Sequence, residues 1–420
     1  MLVSVFNRYI STIVQFGVLA FLARWLAPDD YGLYMMCLGI TYSFYYFVGF
    51  GASEAAVIEI SKAKNRGDNS YILECVGSGF CAVILSVLLI ACCVGALLVL
   101  TGYDLPLPLA ALFFISFFMS SNGVIFNVSQ VLLSLGFTSL GSFLFYPAVN
   151  VTIALLLTLV IPVNIEGVFE SVAGIASAAS VIVMVGALLI CALAVKGRIR
   201  VSLQCFIHLI RTGAPLTLIR ILHVSSFWVP TMVAGFTLGS VEAGFIGTAG
   251  RLAIAVSAVI AAIRFVIRPS LISAIAEKRV GDLEVIAQKA ATLTFTASLL
   301  AVACNVLFGT LVITLFFGEN FAQIAPILTV LLVSVCAEAV FGPVDEILKA
   351  SKCTGSVLLI YFVGITILSL MAIFAAPYGL IYIAWAQLLY VAIIFSAMNV
   401  LIVRRYGFFV LPSFKALVKL

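Results

Sequence analysis

The stretch 21-FLARWLAPDDYGLYMM-36 closes one apolar run and opens another within a few residues. Arg24 and Trp25 end the first run. Pro28 stops it, Asp29 and Asp30 follow, and Gly32 leads into the next apolar segment. Proline inside a helix removes a hydrogen bond and kinks or ends it, and tryptophan and arginine suit the border between lipid and water. The stretch therefore predicts a tight turn between two membrane-spanning helices.

Composition agrees. Of 420 residues, 64% are hydrophobic and 9% are charged. A soluble domain is about 45–50% apolar and about 25% charged, and a chain of this size could not hide so much apolar surface from water. The runs are long and continuous, as in 80–100 and 181–195. About 20 apolar residues make a spanning helix, whereas barrel strands alternate over about 10. The fold class predicted is an all-α integral membrane protein. Arg8 interrupts the first apolar run and no small-residue cleavage site follows it, so the first span reads as retained. The ten cysteines contain no CxxC spacing and fall mostly in apolar runs, where cysteine acts as a small hydrophobe.

Breakers and charges divide the chain into twelve spans, near 5–27, 32–60, 71–100, 108–133, 142–162, 168–195, 212–238, 244–274, 286–317, 324–348, 355–376 and 379–403. Connections are short except 196-KGRIRVSLQCFIHLIRT-212, which reads as a central linker. The division expected is an N-terminal six-helix lobe, 1–203, and a C-terminal six-helix lobe, 204–420. Lys and Arg mark cytoplasmic loops. With the N-terminus inside, the inner loops and C-terminal tail hold fifteen of them, including Lys64, Arg66, Lys196, Lys278, Lys415 and Lys419. The opposite loops hold none, only acids such as Asp29, Asp104, Glu166 and Glu242. Both termini are thus expected in the cytoplasm. The same asymmetry accounts for the net charge of +5, so no nucleic-acid partner is needed.

The opening pattern returns. An acidic outer turn, a glycine, a long apolar run and a basic inner loop ending Gly-Asp occur at 28–72 and again at 239–286. With six spans per half, the halves share one orientation, a parallel repeat about an axis along the membrane normal. Such halves flank transport pathways.

The motif 22-LARWLAPDDYGLYMM-36, followed by 49-GFGASEAA-56 and a basic inner loop, resembles the start of bacterial polysaccharide flippases of the Wzx type. A weaker likeness surrounds 243-AGFIGTAGRL-252. These flippases share a superfamily with multidrug-and-toxin exporters and lipid II flippases. The resemblance implies twelve spans in two lobes and no cofactor. It implies translocation of an undecaprenyl-diphosphate-linked oligosaccharide across the inner membrane. Membrane lipid, a coupling H⁺ or Na⁺ and other polysaccharide-assembly proteins would be the further partners.

A charge at the bilayer centre costs about 2.5–3.5 kcal/mol on insertion scales, so charges within spans tend to face a cavity or a partner. Helix 1 places Arg8, Ser11, Thr12 and Gln15 on one face. The seventh span offers Thr217, Arg220 and His223, and the eighth Arg264 and Arg268. These read as lining a water-filled cavity, with Arg8, Gln15, Arg220, Arg264 and Arg268 as substrate-binding residues. Arginine's fork suits diphosphate oxygens. The stripe Ser116, Ser120, Asn127 and Gln130 fits either a cavity or helix–helix hydrogen bonding. Arg24 and Arg251 are expected to snorkel to the outer border.

Glu338 and Asp345 share a face and would either carry a coupling ion or pair with an arginine. His223 is a further coupling candidate as a proton relay. Glu54 and Arg268 each lie thirteen residues before the inner Gly67 and Gly281. They would form a cytoplasmic gate, or each would pair within its own lobe. Pro147, Pro215, Pro230, Pro269, Pro326 and Pro343 mark possible kinks, with Pro215 and Pro230 the candidate gate bends.

No phosphate-cradling Gly-Lys loop and no HExxH or CxxC metal motif occurs. Short outer loops oppose a membrane polysaccharide polymerase or ligase. The reading is a lipid-linked oligosaccharide flippase working by alternating access, without enzyme activity. A multidrug exporter coupled to H⁺ or Na⁺ is the alternative.

Overall fold

The computed structural model describes residues 2–101, 107–160, 168–195 and 197–414. Asp104, Glu166, Lys196, Lys415 and Lys419 lie outside the described residues. The chain divides into two compact units, Met1–Ser225 and Ser226–Leu420. The first contains α1 (Leu2–Trp25), α2 (Pro28–Phe44), α3 (Ala52–Arg66), α4 (Asn69–Thr101), α5 (Leu109–Leu135), α6 (Thr138–Phe145), α7 (Ala148–Val160), α8 (Phe169–Ala194) and α9 (Leu203–Ser226). The second contains α10 (Val229–Thr237), α11 (Ser240–Ala276), α12 (Val280–Phe317), α13 (Ile324–Val340), α14 (Val344–Ala350), α15 (Thr354–Ala375) and α16 (Leu380–Tyr406).

Among the described residues, nine helices are long and apolar enough to cross a membrane. Three further spans are bent pairs: α2 with α3 and α13 with α14, each at 44°, and α6 with α7 at 56°. Counting each pair as one span gives twelve. The chain is an all-helical, multi-pass membrane protein.

The first turn forms as its residues dictate. Pro28 occupies the first turn of α2, where its missing N–H costs nothing, and Asp29 and Asp30 complement the helix dipole. At its far end the span finishes with Lys64 and Arg66 in the last turn of α3 and left-handed Gly67 as the cap.

Between α2 and α3 the segment 45-YYFVGFG-51 interrupts the helix. Breaking a helix in lipid leaves peptide groups that need partners, and α4 and α5 supply them. Asn127 donates to the carbonyls of Val48 at 3.0 Å and Gly123 at 2.8 Å. Ser53 donates to the Asn127 carbonyl oxygen, and the Gly49 N–H donates to Ser86 Oγ at 2.8 Å. Asn127, one of the stripe on the fourth span, thus stitches the break, while Ser116 bonds back to Leu112 O within its own helix.

Two elements differ from the sequence reading. The linker ends earlier, because α9 begins at Leu203 rather than near 212. Cys205, Leu209, Gly213 and Thr217, each four residues on, form its buried stripe. His208 and Arg211 fall on the other faces and break the apolar run without breaking the helix. The helix packs within the first compact unit, so the units part at 225/226 and not at 203/204. The repeated Gly-Asp pairs also play different parts. Gly67 caps α3, whereas Gly281 lies in the first turn of α12, and α11 runs unbroken where α2 and α3 are bent apart.

The prolines divide likewise. Pro147 and Pro343 sit at bends, Pro215 and Pro269 lie inside continuous helices, and Pro230 opens α10. Behind the bend at Gly342, the tail after α16 folds back. Asn399 accepts from the Val410 N–H at 3.1 Å and donates to its carbonyl at 3.0 Å, and the Val410 side chain is fully buried. Ser413 N–H donates to Thr292 Oγ1 on α12 at 2.8 Å.

Candidate functional site

In the first unit the structure joins two of the expected arginines through one aromatic cluster. Arg220, on α9, meets Glu54, in the first turn of α3, with Nε 2.8 Å from Oε1. Its guanidinium carbon lies 5.2 Å from the Tyr46 ring centre and 5.5 Å from that of Phe126. Tyr45, Tyr46, Phe126 and Ile221 form a buried apolar cluster there. Phe126 contacts Phe145 (5.6 Å between ring centres), Phe145 contacts Tyr146 (4.4 Å), and Arg8 lies 5.9 Å from the Tyr146 ring. Quadrupolar ring faces attract a cation by about 0.5–2 kcal/mol, most when desolvated. Such contacts hold a guanidinium without neutralising its charge.

Two more residues of helix 1's polar face make packing contacts. Ser11 donates to Tyr146 O at 2.7 Å and accepts from Asn150 at 3.1 Å. Thr12 bonds back to Arg8 O. Gln15 is half-buried on the same helix. His223 is half-buried in the last turn of α9.

The second unit holds a different kind of pair. Arg264, on α11, donates from Nη1 to Glu338 Oε1 at 2.7 Å, and both side chains are 10% exposed. Asp345 and Glu346, just past the α13–α14 bend, lie within electrostatic reach of the same guanidinium. Asp345 pairs with Lys349 at 2.9 Å. Arg268 is exposed one turn along α11, within reach of Glu346. Arg251 does not extend toward a helix end. Its guanidinium lies 4.1 Å from the ring of buried Trp228, because a desolvated ring face is available within the unit.

The two pairs differ in what it takes to open them. The Arg220 side chain is 37% exposed and that of Glu54 16%, so water reaches the guanidinium while the carboxylate is largely covered. Removing one partner of a buried pair costs about 3–5 kcal/mol. Arg264 thus sits in a buried pair, whereas part of the Arg220 guanidinium remains open to solvent. Both Glu54 and Glu338 meet an arginine of their own unit.

Sequence reasoning found the arginines and missed the rings. The density of aromatics at 45-YYF-47, directly before the Gly-Phe-Gly break, was the available signal. Phe126 and Tyr146 come from other spans and carry none. Among the described residues no group of three His, Cys, Asp or Glu side chains is placed to hold a metal.

A family model described as "Polysaccharide biosynthesis protein" matches residues 1–275. No curated protein matches the chain. Among solved structures, the chain is similar to lipid II flippase MurJ in an inward closed conformation, with a TM-score of 0.73 at 14% identity over 100% of this chain and 90% of that one. It is similar to an inward-facing multidrug resistance MATE transporter of the MOP superfamily, with a TM-score of 0.71 at 15% identity over 96% and 94%. A MOP superfamily transporter from Pyrococcus furiosus, described as having a binding pocket of reverse polarity, gives 0.58 at 14% over 96% and 95%. At these identities the likeness is one of fold.

Proposed function

The chain belongs to the polysaccharide biosynthesis protein family, and from that premise we propose that it flips a polyprenyl-diphosphate-linked oligosaccharide from the cytoplasmic to the outer leaflet. Family and fold support a MOP-superfamily transporter rather than an enzyme. The substrate is the further step. The observation that carries it is the aromatic-mounted pair of arginines in the first unit, Arg220 and Arg8. An exporter of cationic drugs needs carboxylates facing its cargo, whereas here the partly solvated groups on the rings are guanidiniums. Two such forks suit a diphosphate's oxygens. The prenyl tail can remain in lipid while the sugars cross, driven by alternating access and coupled to H⁺ or Na⁺.

The charge asymmetry of the loops supports cytoplasmic termini. Together with the lipid-linked substrate class, this supports a place in the inner membrane of a bacterium making surface polysaccharide. The test is reconstitution in liposomes with a fluorescent polyprenyl-diphosphate disaccharide, its outer-leaflet fraction read by quenching. Wild-type protein should flip it, and Arg220→Ala should lose at least tenfold in rate, with Arg220→Lys rescuing only part. Equal rates in protein-free liposomes and in wild-type vesicles would refute the reading.

A further inference from the structure

We propose that Tyr42 and Asn122 form a sugar subsite: the half-open ring of Tyr42 receives a face of the pyranose joined to the diphosphate, and the Asn122 amide binds its hydroxyl or acetamido groups. The inference rests on the function proposed above and adds the residues that recognise the first sugar.

One strip of α5 carries the site. Phe118, Asn122 and Phe126 are spaced four residues apart and so lie one above the other on a single helix face. That face meets α2 and the turn after it. The Phe118 ring centre lies 6.2 Å from that of Tyr42, and the Phe126 centre lies 6.1 Å from that of Tyr45 and 5.0 Å from that of Tyr46. Phe118 and Phe126 are buried, whereas Asn122 between them is only half-buried. The cover over the strip therefore opens at Asn122. Tyr42 is half-buried as well. Its contacts with Phe118 and Tyr45 are edge-on, with ring planes 84° and 81° apart, so neither of those two rings lies flat upon it.

The Asn122 amide leans toward the same place. Its Nδ2 donates to Phe118 O at 2.7 Å, which draws the side chain back one turn toward the ring that Tyr42 touches. That bond uses one amide hydrogen. The other hydrogen and the carbonyl oxygen, a donor and an acceptor, remain for a partner. Turned to hydrocarbon, they would stay unsatisfied at a cost, so the opening suits a polar ligand.

Spacing relates the opening to Arg220. The guanidinium lies by the rings of Tyr46 and Phe126, and Asn122 precedes Phe126 by four residues, a rise of about 6 Å along the helix. A sugar joined by its anomeric oxygen to a phosphate on Arg220 has its ring about one such turn away. A pyranose offers two kinds of surface. Its C–H groups make an apolar face that packs on an aromatic ring, and its hydroxyls ring the edge and pair with donors and acceptors. Tyr42 supplies the first contact and Asn122 the second. A flat apolar cargo would use the ring alone and leave the amide unpaired.

The experiment is titration calorimetry of the detergent-solubilised full chain with four probes. One is farnesyl methyl diphosphate, a diester with the charge of the sugar linkage and no sugar. The others are the glucosyl, galactosyl and N-acetylglucosaminyl diesters of farnesyl diphosphate. The measured quantity is the ratio of a sugar diester's affinity to that of the methyl diester. In wild type at least one sugar should bind about fivefold or more tightly than methyl, the yield of a ring contact and a neutral hydrogen bond. Tyr42→Ala and Asn122→Leu should each lower that ratio by about threefold or more, because each removes one of the two contacts. Tyr42→Phe keeps the ring and should keep the ratio. Asn122→Leu, of similar volume, carries the test if Tyr42→Ala does not fold. An unchanged ratio in a folded Tyr42→Ala or Asn122→Leu overturns the subsite, even where both affinities fall together, since the residue then only supports the fold. A wild-type ratio near one for all three sugars overturns it too. Either result leaves the diphosphate reading standing. Arg220→Ala should weaken the methyl and sugar diesters alike. Absence of binding of every probe to wild type, or full binding by Arg220→Ala, overturns the diphosphate reading and the subsite with it.

Discussion

Gly213 on α9 rests directly on the carbonyl of Gly51, so closely that a β-carbon on Gly213 would fall 1.9 Å from that oxygen. The contact is backbone to backbone at the break between α2 and α3. It sets the register that brings Arg220 to Glu54 along the same helix pair. Gly51 itself has a φ of +88°, a conformation glycine adopts at little cost.

Gly213→Ala must push α9 off the break, because a carbonyl cannot move aside as a flexible side chain can. Overpacking of this kind costs about 1–3 kcal/mol. The variant should melt at lower temperature in detergent and lose flipping activity with it. Gly174→Ala, where no atom lies within 4 Å of the added carbon, is the control and should melt as wild type. Wild-type melting of Gly213→Ala would show that α9 does not seat on Gly51.

The buried pair in the second unit has a signature of its own. Arg264→Ala leaves Glu338 desolvated beside Asp345 and Glu346 and should destabilise by about 3–5 kcal/mol, with poor recovery of folded protein. Replacing both partners by apolar residues of similar size, Arg264→Met with Glu338→Leu, removes the desolvation cost as well as the attraction. It should recover at least half of the lost melting temperature. A double variant no better than Arg264→Ala would assign the damage to something other than the broken pair.

Spans, loops and the charge asymmetry were legible because lipid imposes a demand that extends over whole helices. A run such as 181–195 reads as a span without reference to any partner. Of the six prolines marked as possible kinks, Pro147 and Pro343 sit at bends, whereas Pro215, one of the two chosen as gate bends, lies inside continuous α9 and Pro230 opens α10. The bend at 45–51 was not legible, since Gly49 and Gly51 sit in an apolar run and the groups that satisfy the break, Asn127 and Ser86, come from other spans. The early start of α9 was hidden because its buried stripe contains Gly213 and Thr217, which hydropathy weighs lightly. The arginines could be selected by type and position. Their partners could not, because Glu338 lies 74 residues from Arg264 and nothing local links them.

The junction of α4 and α9 supplies a direct test of where α9 begins and what it packs against. Cys205 Sγ lies 3.7 Å from Cys75 Sγ, both thiols buried. The backbone beside them is tied: Ser78 Oγ donates to Ser202 O and accepts from the Ser202 N–H, each at 3.2 Å. A thiol pair this close needs little movement to form a bond of about 2.05 Å. Copper phenanthroline with oxygen, which takes up the two electrons and two protons released, should convert the pair to an intramolecular disulfide. The thiol count should then fall from ten by two on this account, and a Cys75–Cys205 peptide should appear by mass spectrometry. Cys75→Ser should abolish that peptide. The linked protein pins α9 to α4, so if α9 shifts during transport, flipping should stop on oxidation and return with reductant. Failure of the peptide to form while other, more exposed thiols react would mean that α9 does not start where the structure places it.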